Sequence, residues 1–115
     1  MAENNIAPDS IDLVLFMSQT ADYKILTTSP ILQDRLRILK TAACLDLNLA
    51  CSGYVYSLST AYAYASVPGI NRILLLVGDI ISKVLNKNDK VSYPVFGVAG
   101  MASLIEKGDY GESWF

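Results

Sequence analysis

The residues of this 115-residue sequence that are best suited to chemistry are its two cysteines, Cys44 and Cys51. Cys51 lies in an Ala-Cys-Ser-Gly run at 50–53, where an apolar, strand-like segment gives way to a helical pattern. At the start of a helix, unpaired backbone N–H groups and the positive end of the helix dipole stabilise a thiolate and can bind an oxyanion. This position predicts a nucleophilic thiol, whereas a cysteine among small residues is more often a buried apolar side chain.

The residues that usually assist such a thiol are missing. The sequence contains no histidine, so no Ser-His, Cys-His or histidine-metal site can be completed within it, and two cysteines are too few for structural zinc. Cys44 and Cys51 are seven residues apart across a strand and a turn, so we expect no disulfide between them. This spacing is not the C-x-x-C geometry, which makes a thiol redox protein a weak alternative. Two free thiols are typical of a reducing compartment, so the predicted location is cytoplasmic.

The composition argues against two classes of partner. A hydrophobic content of 52% is enough for a core, and nine basic against eleven acidic residues give a net charge of -2. This balance supplies no basic field for nucleic acid or anionic lipid. No segment reaches the roughly 18 consecutive apolar residues of a spanning helix, and residues 1–10 lack the order of a secretion signal. We therefore expect no nucleic-acid partner and no membrane partner.

The apolar pattern predicts an α/β fold with a mixed or parallel sheet. Helical spacing predicts one helix at about 30–39, beginning at a Ser-Pro pair, and another from residue 52 to about residue 66. A polar loop is expected at 83–90, and a glycine-bearing turn at 96–100 precedes the last strand. Short apolar runs predict the strands. These strands are expected at residues 11–17, 42–48, 72–78 and 101–105.

The helix predicted at 52–66 is apolar on all its faces, and no charged residue occurs between Asp46 and Arg72. We therefore expect protein to surround this helix on all sides. A chain of 115 residues can hardly cover a buried helix and several buried strands. Residues 1–115 are therefore predicted to form a single partial domain that needs further sequence or a partner subunit.

The segment around Cys51 resembles the strand-cysteine-helix signature of the β-ketoacyl-acyl carrier protein synthase III family. Residues 46–54 read D-L-N-L-A-C-S-G-Y, against the family's D-x-N-x-A-C-S-G-F. The strands predicted at 11–17 and 72–78 resemble those on either side of this signature in the family. Phe96-Gly97 resembles the start of the family's F-G-D-G-A-G loop. The resemblance covers roughly residues 8–107.

This resemblance implies the nucleophile-bearing half of a thiolase-like layered fold, with a mixed sheet and a buried central helix. It also implies an acyltransferase of fatty-acid or polyketide chain initiation. In the family, a cysteine takes an acyl group from a coenzyme A thioester and condenses it with malonyl-acyl carrier protein, losing carbon dioxide. Acyl-coenzyme A and malonyl-acyl carrier protein are then substrates, no cofactor is expected, and the enzyme is expected to be a homodimer.

The same resemblance assigns roles to four residues. Cys51 is the acyl acceptor, and its backbone N–H is one oxyanion donor. Phe96 and Ile81 match positions that line the acyl pocket, and Ile25 matches a position that reaches into the pocket of the dimer partner. These three side chains can equally be ordinary core or interface residues.

Three departures from the family pattern shape the expected activity: the family's first strand and helices are not matched, the loop after Phe96-Gly97 is altered, and the family's second half is missing. Val98 stands where the family has an acidic residue, and Met101 replaces a small one. The family's catalytic histidine and asparagine belong to a second half that the resemblance does not include. We therefore expect this chain to accept an acyl group at most and not to condense it. The alternative is a non-catalytic dimerising or acyl-binding module derived from the same family.

Overall fold

The computed structural model describes residues 5–21, 25, 27–81, 87, 88, 90 and 97–108. These residues form four strands and two helices, after a short 3-10 helix at Pro8–Ser10. The elements in chain order are β1 (Leu13–Met17), α1 (Ser29–Arg35), β2 (Ala43–Leu47), α2 (Gly53–Ala65), β3 (Arg72–Ile80) and β4 (Val98–Glu106). Neither helix is long and apolar enough to cross a membrane, as judged over the described residues.

The strands form one mixed sheet in the order β2-β1-β3-β4. β1 runs parallel to both neighbours, and Leu15 lies opposite Leu45 on one side and Leu75 on the other. β4 is antiparallel to β3. The parallel strands are joined by crossovers that contain α1 and α2, as parallel neighbours require. The predicted α/β class with a mixed sheet is confirmed.

The core lies on both faces of β1. Leu13, Val14 and Leu15 are 0–1% exposed, because successive side chains point to opposite faces and both faces are covered. Val14 belongs to the apolar cluster that α1 and the residues after it cover. Leu13 and Leu15 belong to the cluster beneath α2, together with Ala61 of that helix. This double cover explains why the strand reads as a continuous apolar run.

Helix α1 is shorter than the sequence indicates. Its N-terminus is held by Asp46, whose carboxylate accepts hydrogen bonds from the backbone N–H groups of Thr28 and Ser29. At its C-terminus Arg37 adopts a left-handed backbone with a φ of 57°, which stops the helical hydrogen bonding. The prediction that this helix reaches residue 39 is therefore wrong. Leu39, which completed the apolar spacing, is 51% exposed.

Helix α2 packs one face against the sheet. Gly53, Ser57 and Ala61, spaced four apart, form its buried stripe. The opposite face is uncharged yet exposed, since Val55 and Tyr56 are 67% and 60% accessible. The sheet therefore supplies one side of the cover predicted for this helix, and no other described residue covers the outer side.

The hairpin of β3 and β4 extends further than predicted. The turn expected at 96–100 is wrong for Val98–Gly100, because these residues already pair with β3. Gly100 lies opposite Gly78, and a Cβ on Gly78 would come within 3.4 Å of the Ala99 carbonyl oxygen. The antiparallel ladder thus continues through residues whose composition indicates a turn. Most of the loop predicted at 83–90 lies outside the described residues.

Candidate active site at the Cys51 turn

The parallel strands bring their carboxyl ends to one edge of the sheet. Cys51 follows the end of β2 at Leu47 by four residues, and Ile81 directly follows β3. Because β1, β2 and β3 point the same way, Cys51 and Ile81 both emerge at this edge. Open α/β sheets characteristically bind ligands outside the carboxyl ends of their strands. The structure therefore places two of the predicted site residues where a substrate site is expected.

A glycine sets how closely α2 begins to the sheet. The Gly53 N–H donates to the Ala50 carbonyl oxygen at 2.8 Å, which closes the turn that contains Cys51. A Cβ on Gly53 would lie 2.5 Å from Sδ of Met17 and 3.2 Å from Cβ of Leu49. Met17, the last residue of β1, is only 4% exposed. Gly53 therefore fixes the Cys51 turn against the end of the central strand.

The Cys51 thiol is accessible and lies next to unused hydrogen-bond donors. Cys51 is exposed and is not part of a disulfide. The first N–H groups of a helix have no intrahelical acceptor. Among the described residues, no backbone carbonyl accepts a hydrogen bond from the Cys51 N–H either. An open thiol beside free N–H donors can attack a carbonyl carbon and stabilise the resulting oxyanion.

The second thiol has a different environment. Cys44 is half-buried on the α1 side of the sheet, and its Sγ donates to Oε1 of Gln33 at 3.3 Å. Burial raises the pKa of the Cys44 thiol, the Asp46 carboxylate raises it further, and the Ser29 hydroxyl opposes both effects. Cys44 is therefore held as a neutral thiol, which is a poor nucleophile.

The other predicted site residues are less constrained. Ile81 is half-buried at the end of β3. Ile25, between β1 and α1, is 96% exposed and makes no core contact. Phe96 lies outside the described residues, so its pocket role stays a prediction. Val98 and Met101, the two departures from the family loop, are 65% and 47% exposed at the start of β4.

Asp79, for which no role was predicted from the sequence, binds the loop that follows β1 at this edge. Its Oδ1 accepts hydrogen bonds from the Ser18 hydroxyl at 2.9 Å and the Gln19 N–H at 2.8 Å. The same oxygen accepts from the N–H and the hydroxyl of Thr20, at 3.2 and 3.1 Å. An acidic residue at the end of an apolar strand was the available signal, but the sequence does not reveal which loop it binds.

Comparison with known proteins gives a consistent result. A family model described as 3-oxoacyl-(acyl-carrier-protein) synthase III matches residues 45–115. β-Ketoacyl-(acyl-carrier-protein) synthase III 2 of Streptomyces coelicolor is 38% identical over 104 residues, covering 90% of this chain and 31% of that protein. β-Ketoacyl-(acyl-carrier-protein) synthase III of Phocaeicola vulgatus is 35% identical over 106 residues, with coverages of 90% and 31%.

A solved structure agrees with these relatives. A crystal structure of 3-oxoacyl-(acyl-carrier-protein) synthase III superposes with a TM-score of 0.89 at 37% identity. It covers 97% of this chain and 33% of the solved chain. The chain thus spans about a third of the length of the proteins it matches, and the predicted layered fold is confirmed for that third.

Replacing Gly53 with alanine tests the close approach at the turn. We expect Gly53→Ala to destabilise the fold by about 1–3 kcal/mol, although alanine favours a helix, because the new Cβ must displace Met17 and Leu49. Gly97→Ala is the matched control, since none of the described residues lies within 4 Å of a Cβ there. Chemical denaturation of both variants measures the difference. Equal stabilities for the two variants would contradict the packing role of Gly53.

The raised pKa of Cys44 predicts a stability that depends on pH. The unfolded thiol loses its proton near its ordinary value of 9.0, whereas the folded thiol keeps it to higher pH. The contribution is therefore complete below that value and is lost as pH rises from there through the folded pKa. We expect the free energy of unfolding to fall as pH rises above 9.0, and to fall less in Cys44→Ser.

Denaturant titrations in a Cys51→Ser background, which leaves only one thiol, measure this effect. The same alkaline loss with and without Cys44 would show that other groups cause it.

Proposed function

This chain belongs to the 3-oxoacyl-(acyl-carrier-protein) synthase III family, and we propose that it is the nucleophile-bearing part of an acyltransferase that initiates fatty-acid or polyketide chains. The observation that carries the proposal is the Cys51 turn. Its thiol is exposed at the start of α2, inside the segment that the family model matches. The names of the relatives support a condensing reaction with an acyl carrier protein.

The proposed first step is transfer of an acyl group from coenzyme A to Cys51. The thiolate attacks the thioester carbonyl carbon, and a new carbon–sulfur bond forms while the carbonyl oxygen becomes an oxyanion. The free N–H donors at the turn stabilise that charge. Collapse of the intermediate expels coenzyme A as its thiolate, which takes up a proton, and leaves an acyl thioester on Cys51.

The second step joins this acyl group to malonyl-acyl carrier protein. The malonyl group loses carbon dioxide, its carbanion attacks the acyl thioester, and the Cys51 thiolate leaves as the β-ketoacyl product forms. The enolate character of this carbanion requires donors to its oxygen. The 115 residues contain no histidine to serve as one, so we assign only acyl transfer to them.

The proposal requires no bound cofactor, because acyl-coenzyme A and malonyl-acyl carrier protein are both substrates. The two free thiols support the cytoplasmic location predicted from the sequence. Because the sequence contains no histidine, a non-catalytic dimerising or acyl-binding module of the same family is the alternative.

Mass spectrometry after incubation with acetyl-coenzyme A tests the acyl transfer. We expect one acetyl group on Cys51 and release of one equivalent of free coenzyme A. Cys51→Ser should abolish the adduct, because serine is a far weaker nucleophile at neutral pH. Cys44→Ser is the matched control and should retain it. An unmodified protein, or an adduct on Cys44 alone, would favour the non-catalytic module.

We also propose that the chain forms a homodimer through the free edge of β2. β2 is an edge strand, so half of its backbone groups face outward without a partner strand among the described residues. The Ile25 segment leads into Thr28 and Ser29, which are bound to Asp46 of β2. An Ile25 side chain that enters a partner subunit therefore favours an interface on the β2 side.

A lysine at either sheet edge tests this arrangement. We expect Ala43→Lys, at the exposed start of β2, to raise the dimer dissociation constant about tenfold or more, because a charge on an edge strand opposes strand pairing. Ala99→Lys, on the exposed β4, should change it little. Sedimentation velocity over a concentration series gives both constants. A larger effect of Ala99→Lys would place the interface at β4.

A further inference from the structure

We propose that Asp79 is a positioning residue for the Cys51 turn. Its carboxylate fixes the residues that follow β1. The first of these, Ser18, holds the end of β2, and the adjoining Met17 packs against the start of α2. The effect of Asp79 on acyl transfer rests on the proposed function, whereas its effect on the position of the turn does not. Asp79 touches no reacting atom in this scheme and acts through Ser18 and Met17.

The loop at 18–20 is attached to the end of β3. A single oxygen of Asp79 accepts four hydrogen bonds, from the hydroxyls of Ser18 and Thr20 and from the N–H groups of Gln19 and Thr20. The Thr20 hydroxyl oxygen in turn accepts from the Ile80 N–H at 2.8 Å. The loop and the end of β3 are therefore joined in both directions.

The same loop is also connected to the Cys51 turn. The Ser18 N–H donates to the carbonyl oxygen of Leu47 at 3.1 Å, and Leu47 is the last residue of β2. Met17, directly before Ser18, occupies the space next to Gly53, which begins α2. One end of the segment that carries Cys51 thus contacts Ser18, and the other end contacts Met17. These two residues lie where β1 meets the loop that Asp79 binds.

A carboxylate suits this position because its oxygens accept several hydrogen bonds and it has no donor of its own that would need an acceptor. Ser18 is only 5% exposed, so its hydroxyl cannot turn to water when the acceptor is removed. Loss of the Asp79 side chain would remove the acceptor of four hydrogen bonds and release the loop. A displacement of this kind near a nucleophile strongly affects rate even when the displaced residue lies outside the chemistry.

The chain offers a matched control at the opposite end of the strands, where β1 begins. Oδ2 of Asp12 accepts hydrogen bonds from the N–H groups of Asn71 and Arg72, at 2.8 and 2.9 Å. Like Asp79, this carboxylate binds the backbone of a connecting segment, here the segment that leads into β3. It lies before β1, however, and is separated from the Cys51 edge by the length of that strand.

The experiment compares four variants of the full chain with the parent protein: Asp79→Ala, Asp79→Asn, Thr20→Val and Asp12→Ala. Amide hydrogen exchange, followed by NMR, reports on the Gly53 N–H, whose bond to Ala50 closes the turn. Its rate is normalised to that of the buried Leu15 amide, which removes the effect of global stability. The second readout is the ratio of Cys51 acetylation by acetyl-coenzyme A to Cys51 alkylation by iodoacetamide, which needs no oxyanion donors.

We expect Asp79→Ala and Thr20→Val to raise the normalised Gly53 exchange rate about fivefold or more. We also expect them to lower the acetylation-to-alkylation ratio about tenfold. Asp79→Asn, whose amide oxygen still accepts hydrogen bonds, should restore both values to within about twofold of the parent. Asp12→Ala should leave both unchanged while reducing overall stability.

Two results would overturn the proposal. One is an unchanged normalised Gly53 exchange rate in both Thr20→Val and Asp79→Ala. The other is an equal change in Asp12→Ala, which would indicate a general loss of stability. If Asp79→Ala does not fold, Thr20→Val decides, because it removes the three hydrogen bonds of the Thr20 hydroxyl and keeps the side-chain shape. A parent protein that is not acetylated would refute the proposed function, while the exchange rates would still decide the role of Asp79.

Discussion

The burial of β1 between two parallel neighbours is the constraint on which the rest of this structure depends. Leu13, Val14 and Leu15 are almost inaccessible, and they pack on both faces of the sheet. Because β2 and β3 run parallel to this strand, each connection must cross a face of the sheet. The crossovers place α1 on one face and α2 on the other. They also bring three strand ends to one edge, where Cys51 emerges.

Three carboxylates then join segments that the sheet alone would leave loose. Asp12 binds the backbone where β3 begins, Asp46 binds the start of α1, and Asp79 binds the loop after β1. Each side chain accepts backbone N–H groups at or just beyond the ends of regular elements, where helices and strands provide few acceptors. The sheet determines which elements are neighbours, and these acids determine where the connecting segments lie.

The parts that could be predicted from the sequence are those set by local apolar pattern. The three parallel strands and α2 were found within about two residues, because continuous apolar runs and helical spacing depend on burial. The end of α1 was missed, since Leu39 keeps the helical spacing while the left-handed Arg37 ends the helix before it. The start of β4 was missed because pairing with β3 outweighs the turn preference of glycine.

The candidate site divides in the same way. Cys51 could be located from the change of period around it and from the resemblance of residues 46–54 to a family signature, both of which are local. The close approach of Met17 to Gly53 and the loop bound by Asp79 join residues that are far apart in sequence. No local pattern specifies which donor a given carboxylate will meet. These contacts therefore become visible only when the sheet order is known.

The absence of charge around Cys51 makes these contacts important for chemistry. No charged side chain occurs between Asp46 and Arg72, so stabilisation of an oxyanion from within this segment must come from uncharged donors such as backbone N–H groups. Such dipoles act only over short distances and in the correct direction, and they cannot adjust as a flexible lysine can. The reactivity of this thiol therefore depends on how firmly the turn is held. The fit of Gly53 against Met17 provides one restraint, and the loop fixed by Asp79 provides the other.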